Sequence, residues 1–579
     1  MQAGWCASGR TGSSVTVSPS KAASAGGWLR QAPRLTLALL TLPVVAGLAA
    51  SFAPAFSGNG EGFRLMMAWP GLGPALILSL KTGLISTALA LAVTLGLIAG
   101  LGNSRTMGLI QHALAPLLSV PHAAAALGLA FLIAPSGWLA RLISPWPSGW
   151  EVPPDLLILN DPGGWALILG LVAKEVPFLL LMSLAALPQT DAARRSLQAQ
   201  SLGAGRVAGF LIAVLPALYT QLRLPVYAVL AYAATAVEMA LILGPTRPPT
   251  LAVQIVTWMA DPSLAQRPAA AAAALILSLA VLALIAFWAG AERLAARALR
   301  ALAFAGWRGT ALDGPVRLVA LVAGPGLGLM MTLGLAGLAL WSFAGLWPFP
   351  LALPESLGLR TWAQALPDLL AGSAMTLALA LASTGAALVL VLACLEAEAR
   401  HGLHPGPLAL WLLYLPLIVP QIAFLPGLQR LALGMGLPEG PVAVALSHLT
   451  FVLPYVFLSL AQPYRAWDAR IGLTAQSLGA SPARVFWRLR LPMLLAPVLT
   501  ATAVGLAVSI GQYLPSLLIG GGRVETVTTE AVALSSGGNR RLIGAYGLMQ
   551  MVLPMLGFAL ALALPALIFR NRRALQRRV

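Results

Sequence analysis

The chain has 579 residues, of which 59% are hydrophobic and only 9% are charged, with a mean hydropathy of +0.84. Soluble globular proteins carry about 25% charged residues, so this composition excludes a water-soluble fold and predicts an all-α polytopic membrane protein. The net charge of +18 is mostly arginine. These arginines lie in short loops between apolar runs, which excludes the single basic face typical of a nucleic-acid-binding protein.

Residues 1–34 are rich in Ser, Gly and Ala and are predicted to form a disordered cytoplasmic tail. Because a transmembrane helix needs about 20 mostly apolar residues, the rest of the chain predicts about twelve spans in two homologous six-helix halves. The first is interpreted as an uncleaved helix, since no clear small-residue cleavage site follows it. The predicted spans are 35–54, 77–101, 109–134, 164–187, 224–244, 268–290, 317–345, 372–395, 407–430, 441–461, 498–520 and 543–569.

These spans divide the chain into a first transmembrane domain and a second one of similar length, joined by a cytoplasmic linker. The domains are predicted at 35–290 and 317–570, the linker at 291–316 and a basic cytoplasmic tail at 571–579.

Arginine and lysine near the span ends predict the orientation. The N-terminal tail, the linker and the C-terminal tail are all basic, and twelve spans place them on one side. We therefore predict a multi-pass membrane protein with both termini in the cytoplasm. Residues 521–541 are an exception, because this outward-facing segment contains Arg523, Arg540 and Arg541.

An internal repeat lies in two polar loops on the predicted cytoplasmic side. Residues 199–204 and residues 475–480 both have the sequence AQSLGA, at an offset of 276. The same offset relates Pro216 to Pro492 and Gly244 to Gly520. This agreement over flanking positions indicates an ancient duplication.

Both copies share one spacing: an Ala, a Gly four residues later, and a Leu-Pro pair twelve and thirteen residues after the Gly. Glycine favours the end of a short helix at that point, and proline is expected to end the segment that follows. The residues are Ala199, Gly203, Leu215 and Pro216 in the first half and Ala475, Gly479, Leu491 and Pro492 in the second.

This spacing resembles the EAA loop of bacterial ABC importer permeases. Leu197 and Leu473 replace the glutamate of the family pattern. The resemblance implies a location in the bacterial inner membrane and a type I importer fold that is similar to fused ferric-iron and thiamine permeases. It also implies that the loops couple to two ABC ATPase subunits and that a periplasmic or lipid-anchored solute-binding protein delivers a thiamine-like solute, ferric iron or a similar small solute.

The sequence contains no P-loop motif, so ATP hydrolysis is expected on a separate subunit. No catalytic constellation, cofactor motif or metal site stands out in the loops. We therefore predict a transport permease and not an enzyme, with membrane lipid as its surroundings and no nucleic-acid partner.

Polar residues within predicted spans are candidates for function, because a charge at the bilayer centre costs about 2.5–3.5 kcal/mol. Lys174, Glu175, Glu238, His448 and Gln512 are such residues. They either line a pathway between the halves or pair with neighbouring helices inside the protein.

Two other functions fit twelve spans. A secondary transporter of the major-facilitator type also has two six-helix halves. Its signature loop is expected between spans two and three, where this chain has only residues 102–108. A membrane scaffold without transport activity is disfavoured by the charges within the spans.

Overall fold

The structure, a computed structural model, describes residues 27–102, 104–403 and 405–570. Helices dominate these residues, which contain no named strand and one isolated bridge, between Ala344 and Leu357. The first half contains α1 (Gly27–Phe52), α2 (Glu61–Ala68), α3 (Leu72–Leu101), α4 (Arg105–Ser119), α5 (His122–Ile133), α6 (Trp138–Leu142), α7 (Trp165–Ala186), α8 (Ala192–Ser201), α9 (Arg206–Gly209), α10 (Leu215–Thr235), α11 (Glu238–Leu243), α12 (Leu251–Ala260) and α13 (Arg267–Phe304).

The second half begins with the long helices α14 and α15. Its helices are α14 (Asp313–Phe343), α15 (Arg360–His401), α16 (Pro407–Ile418), α17 (Gln421–Gly434), α18 (Pro441–Arg465), α19 (Ala469–Ser477), α20 (Pro482–Val485), α21 (Leu491–Met493), α22 (Leu495–Ile510), α23 (Leu514–Gly520), α24 (Val527–Ser535) and α25 (Arg540–Ile568).

The number of membrane spans agrees with the prediction. Among the described residues, ten helices are long and apolar enough to cross a membrane, and two bent helix pairs raise the number to twelve. One pair, α16 and α17, is bent by 88°, and the other, at Pro482–Met493 and Leu495–Ile510, by 74°. The prediction of an all-α polytopic membrane protein is therefore confirmed.

Some predicted boundaries differ from the structure. Helix α1 begins at Gly27, so residues 27–34, predicted as part of a disordered tail, are helical. The linker predicted at 291–316 is mostly helix, because α13 continues to Phe304 and α14 starts at Asp313. Residues 1–26 and the basic tail at 571–579 lie outside the described residues.

Four of the predicted spans are interrupted. The third breaks before Pro121 and the ninth before Pro420, where proline lacks the N–H for the helical ladder and clashes with the preceding turn. The fifth breaks at Ala236 and the eleventh at Gly511, where no proline is present. Each half thus contains two discontinuous helices.

The halves exchange their first helices instead of packing as separate six-helix units. Helix α1 packs on α15, α16 and α17 of the second half, and α14 packs on α3 and α5 of the first half. The Gly427 amide donates to the Ser51 hydroxyl at 2.7 Å across one of these contacts. In the other contact Gly128 lies directly against Gly334. Small residues permit such close packing in lipid, where association depends on van der Waals contact and hydrogen bonds.

The duplication is also visible in long-range hydrogen bonds. The Leu251 amide at the start of α12 donates to the Ser79 hydroxyl at 2.9 Å, and the Val527 amide at the start of α24 donates to the Thr376 hydroxyl at 3.0 Å. A hydroxyl from the second long helix of each half therefore caps the short helix that follows the interrupted span.

Two of the three arginines in segment 521–541, the exception to the charge rule, are engaged inside the protein. Arg540 donates to the Ser136 carbonyl at 3.2 Å, and Arg541 donates to the Gly345 carbonyl at 2.5 Å. The Arg540 guanidinium thus connects the two halves, whereas the Arg541 guanidinium connects two segments of the second half. Their position is thus explained by tertiary contacts, which the statistical rule does not include.

Candidate functional site

The two loops with the AQSLGA sequence have the same backbone geometry. We call residues 187–214 the first repeat loop and residues 466–490 the second repeat loop. Gly203 and Gly479 have φ values of +85° and +86°, in the left-handed region that only glycine adopts readily. They end α8 and α19, as the sequence predicted.

Each helix end is closed by the same pair of backbone hydrogen bonds. The Gly203 amide donates to Gln200 and the Ala204 amide to Ala199, at 2.9 and 3.1 Å. The equivalent bonds in the second repeat loop, from Gly479 and Ala480 to Gln476 and Ala475, measure 2.9 and 3.0 Å. This is a Schellman motif, and Ala199 and Ala475 provide its outermost acceptors.

The expectation that proline ends the next segment is wrong in the first half. Pro216 is the second residue of α10, and the helix continues from Arg206 to Thr235. In the second half the helix ends at Met493, one residue after Pro492. A turn of π-helix precedes each proline, at 210–214 and 486–490, and such a turn accommodates the missing N–H within a helix.

The Leu-Pro pairs are oriented alike. Leu215 and Leu491 are half-buried against the core of their own half, and Pro216 and Pro492 are exposed. Sequence reasoning missed a further pair, Phe210 and Phe486, which are buried at equivalent positions. Their identity at the offset of 276 is the signal that could have found them.

Both repeat loops lie at the same end of the molecule and project from it. The first contacts the start of α14 and the second contacts the end of α15. Because Ala344 just after α14 pairs with Leu357 just before α15, these two contacts are at the far ends of both helices. At the tips, the side chains of Leu202 and Leu478 are 80% and 84% exposed. Leu197 and Leu473 are also exposed.

The first repeat loop is held by a residue of the second half. Gly205 has no side chain to cap α9, and both carboxylate oxygens of Asp313 accept from the Arg206 and Val207 amides at 2.9 Å. In addition, the Gly205 amide donates to the Arg308 carbonyl at 2.7 Å. The spacing motif contained no signal for Asp313.

The second repeat loop has a different anchor. Ser481, at the position equivalent to Gly205, caps α20 with its own hydroxyl, which accepts from the Arg484 amide at 3.3 Å. Arg490 donates to the Glu396 carboxylate at 2.5 Å and lies over the Trp467 ring. The two loops are therefore alike in shape and different in attachment.

A second candidate region lies where helix breaks from the two halves meet. Gly511 packs against Pro121, so that a Cβ atom at Gly511 would be 3.7 Å from the Pro121 Cβ. Discontinuous helices at the interface of two repeats mark the solute site in many transporters. Next to this contact the His122 ring lies 4.8 Å from the Tyr232 ring, centre to centre.

Two of the predicted pathway residues belong to this region. The Tyr232 hydroxyl donates to the Glu238 carboxyl at 2.9 Å. Glu175 lies close enough to Tyr232 and to Tyr455 of the second half to interact electrostatically with both. We call Glu175, Glu238 and these two tyrosines the central cluster.

Lys174 is buried in a different setting. Its ammonium group donates to the Val120 carbonyl at 2.6 Å and to the Leu117 carbonyl at 3.1 Å. These carbonyls lie at the end of α4, where the break before Pro121 leaves them without helical partners. This geometry favours the internal-pairing interpretation of Lys174.

His448 and Gln512 lie at the break in the eleventh span. One nitrogen of the buried His448 ring is bonded to the Ser509 hydroxyl at 2.8 Å and the other to the Ser516 hydroxyl at 3.0 Å. Ser509 precedes the break and Ser516 follows it. The Gln512 carbonyl accepts from the Ser516 hydroxyl at 3.0 Å, so that all four residues connect the two helix segments.

The described part of the chain contains no group of three or more His, Cys, Asp or Glu residues that could hold a metal ion. Cys394 is a buried free thiol that donates to the Thr36 hydroxyl at 3.2 Å.

Comparison with known proteins finds similarity along nearly the whole chain. The inner membrane ABC transporter permease protein YnjC of Escherichia coli (strain K12) is 31% identical over 526 residues, which cover 90% of this chain and 94% of that protein. No protein-family model matches the sequence.

Shorter similarities extend to other permeases. The molybdenum transport system permease protein ModB of Mycobacterium tuberculosis is 34% identical over 131 residues, covering 21% of this chain and 50% of that protein. The spermidine/putrescine transport system permease protein PotC of Haemophilus influenzae is 24% identical over 144 residues, covering 25% of this chain and 56% of that protein. These relatives favour the importer over the secondary transporter.

Proposed function

Because the chain belongs to the family of inner-membrane ABC transporter permeases, we propose that it is the fused membrane subunit of an importer whose two repeat loops receive motion from separate ATPase subunits. The observation that carries this proposal is the pair of Schellman-ended helices, α8 and α19, which project from one end of the molecule. A pair of equivalent loops suits two copies of one ATPase. A solute-binding protein then acts at the opposite end.

The tips of the repeat loops have the chemistry of a protein contact. Leu202 and Leu478 are almost fully exposed at equivalent positions, and such residues gain stability when a partner covers them. Leu197 and Leu473 occupy the acidic position of the family pattern, so we infer an apolar contact with the ATPase there. The repeat loops face the cytoplasm in this arrangement, and so do both termini.

The test is co-purification of the chain with an ABC ATPase co-expressed from the same genome. Leu202→Asp and Leu478→Asp should each weaken retention of the ATPase by about tenfold or more, because each removes a buried leucine contact worth about 1.5–3 kcal/mol. ATP hydrolysis stimulated by the solute-binding protein should fall in parallel.

Leu157→Asp is the matched control, since Leu157 is 68% exposed in the segment between α6 and α7 and belongs to the opposite end. It should leave ATPase retention unchanged. Unaltered retention in both loop variants would refute coupling through the repeat loops.

We further propose that the solute is a small cation. Glu175 and Glu238 supply two carboxyl groups to the central cluster, next to tyrosine rings that also attract cations. The neighbouring Lys174 ammonium is occupied by carbonyl groups. A thiamine-like solute, ferric iron and polyamines are cations, whereas molybdate is an anion.

This second proposal is tested by uptake into cells that express the full transporter. Putrescine, spermidine, thiamine, ferric iron and molybdate are the probes, and Glu238→Gln should raise the KM of a cationic solute with little change in maximal rate. Glu151→Gln, in an exposed outer segment, is the control. Uptake of molybdate alone, or no effect of Glu238→Gln on any solute, would overturn the cation assignment while leaving the loop proposal intact.

A further inference from the structure

A cavity of about 410 Å³ lies between the start of α1 and the second half. Its walls come from α1, the end of α15, the start of α16 and the middle of α18. The cavity belongs to the same end of the molecule as the repeat loops, because the end of α15 contributes to both. It is separate from the central cluster.

One wall of the cavity is cationic. Arg30 and Arg34 are four residues apart on α1 and therefore lie on one face of the helix. Both side chains are exposed. Within the part of the chain that the structure describes, neither guanidinium has a hydrogen bond or an ion pair.

The floor of the cavity is apolar. Leu37, Leu413, Leu453 and Phe457 line it, and none of them is exposed. A cavity with cations at its rim and hydrocarbon at its base fits an amphiphile with an anionic head and an acyl chain.

One carboxylate also lines the cavity, and its charge is compensated. Glu398 accepts from two nitrogens of the Arg465 guanidinium, at 3.0 and 3.1 Å. At the back of the cavity the Cys394 thiol is occupied by Thr36. The two arginines of α1 therefore determine the electrostatic character of the rim.

We propose that this cavity binds an anionic phospholipid, with the headgroup phosphate between Arg30 and Arg34 and an acyl chain on the floor. Three features favour this occupant: the cationic rim, the hydrocarbon floor, and a position at the end of the spanning helices, where headgroups lie. Basic pockets between transmembrane helices on the cytoplasmic side bind such lipids. The lipid would fill the space between the exchanged helix α1 and the second half.

The experiment is native mass spectrometry of the purified full-length chain, released from nanodiscs of equal parts phosphatidylglycerol and phosphatidylcholine. The wild-type chain should retain phosphatidylglycerol preferentially. The double variant Arg30→Gln, Arg34→Gln should retain it about tenfold less, because each arginine near the membrane surface contributes to anionic-lipid binding.

Arg293→Gln with Arg297→Gln is the matched control, since these exposed arginines have the same spacing on α13 and do not line the cavity. It should retain the lipid as the wild type does. Leu413→Trp, which fills the floor and keeps both arginines, should also lose the lipid.

Four outcomes would overturn the proposal. They are equal retention of both lipids by the wild type, equal loss in the cavity and control double variants, displacement of the lipid by inorganic phosphate alone, and unchanged retention in the Leu413→Trp variant. The third would assign a small-anion site and the fourth an ordinary boundary lipid. None of them bears on coupling to the ATPase.

Discussion

The glycine at the end of each repeat-loop helix provides a test of backbone conformation alone. A side chain at Gly479 would meet no atom within 4 Å, so only its φ of +86° opposes substitution. Asparagine tolerates this region and valine does not. We therefore expect Gly479→Asn to keep most of the uptake and Gly479→Val to lose it, with a cost to the helix end of about 1–2 kcal/mol.

Uptake normalised to the amount of protein in the membrane measures this effect. Gly290→Val is the control, because Gly290 also faces open space and has a helical φ. Gly203→Glu and Gly479→Glu should abolish uptake with normal membrane insertion. If Gly479→Val transported normally, the left-handed helix end would not be needed for coupling.

Asp313 provides a second test, because it caps a helix that begins 107 residues away in the sequence. Asp313→Ala should leave the Arg206 and Val207 amides without partners, at a cost of about 1–2 kcal/mol. Hydrogen exchange at these two amides should then accelerate by about tenfold.

Ser481→Ala is the matched substitution in the second repeat loop and should accelerate exchange only at the start of α20. Transport per ATP hydrolysed should fall more in Asp313→Ala, since this residue also joins the first repeat loop to the second half. Unchanged protection at Arg206 and Val207 would show that Asp313 does not anchor the loop.

These residues show how far the sequence determines the candidate site. Gly203 and Gly479 were predicted because a helix-ending glycine has a local cause, and the exposed Leu-Pro prolines followed from the repeat. The role of Asp313 was not predicted, because its partners are distant in the sequence and no local pattern indicates them. His448 was predicted as a polar residue within a span, but its two serine partners depend on tertiary structure.

Among the helices, the two segments of the interrupted eleventh span are joined by side-chain hydrogen bonds. His448 bonds Ser509 before the break and Ser516 after it, and Ser383 donates to Ser509 at 3.1 Å. His448→Leu should remove one hydrogen bond from each of the buried Ser509 and Ser516 hydroxyls and destabilise the protein by about 1–3 kcal/mol. His448→Gln, which can keep one of the two bonds, should cost less.

Thermal unfolding of the purified chain measures the loss of stability, and uptake in cells measures the effect on transport. Ser447→Ala is the control, because the Ser447 hydroxyl donates to the Val444 carbonyl within its own helix. We expect uptake to fall in His448→Leu while ATPase retention stays normal. Equal unfolding temperatures for His448→Leu and Ser447→Ala would contradict a role in joining the segments.

The interrupted helices also mark the limit of prediction from sequence patterns. The breaks before Pro121 and Pro420 coincide with prolines, which have a local steric cause. The break at Gly511 depends on distant contacts, since the Ile510 carbonyl accepts from the Thr528 hydroxyl at 2.5 Å. At Pro216 a proline is present and the helix does not break, because the π-helical turn before it allows the helix to continue.

For the whole molecule, composition and the repeat were sufficient to predict the class, the number of spans and the duplication. They did not predict the exchange of first helices, because lipid-facing and protein-facing apolar residues have the same hydropathy. Ser51 and Gly427 are 376 residues apart and in hydrogen-bond contact. The exchange makes each half incomplete without the other, since α1 packs on the second half and α14 packs on the first.

The exchange of α1 can be tested with the cysteine already present in α15. The Cys394 thiol lies 3.2 Å from the Thr36 hydroxyl, so that Thr36→Cys would bring two sulfur atoms within reach of a disulfide. In a Cys6→Ser background, with a protease site inserted in the connection at 305–312, mild oxidation of membranes should join α1 to the second half.

After cleavage, the two halves should then migrate as one band without reductant and as two bands with it. The same chain with Thr36 intact is the control and should give two bands in both conditions, since Cys394 would then have no thiol partner. Separation of the oxidised Thr36→Cys halves without reductant would mean that α1 does not pack on α15. The interlocked arrangement of the permease would then be wrong, and so would the proposed lipid cavity, because α1 forms the cationic wall of that cavity.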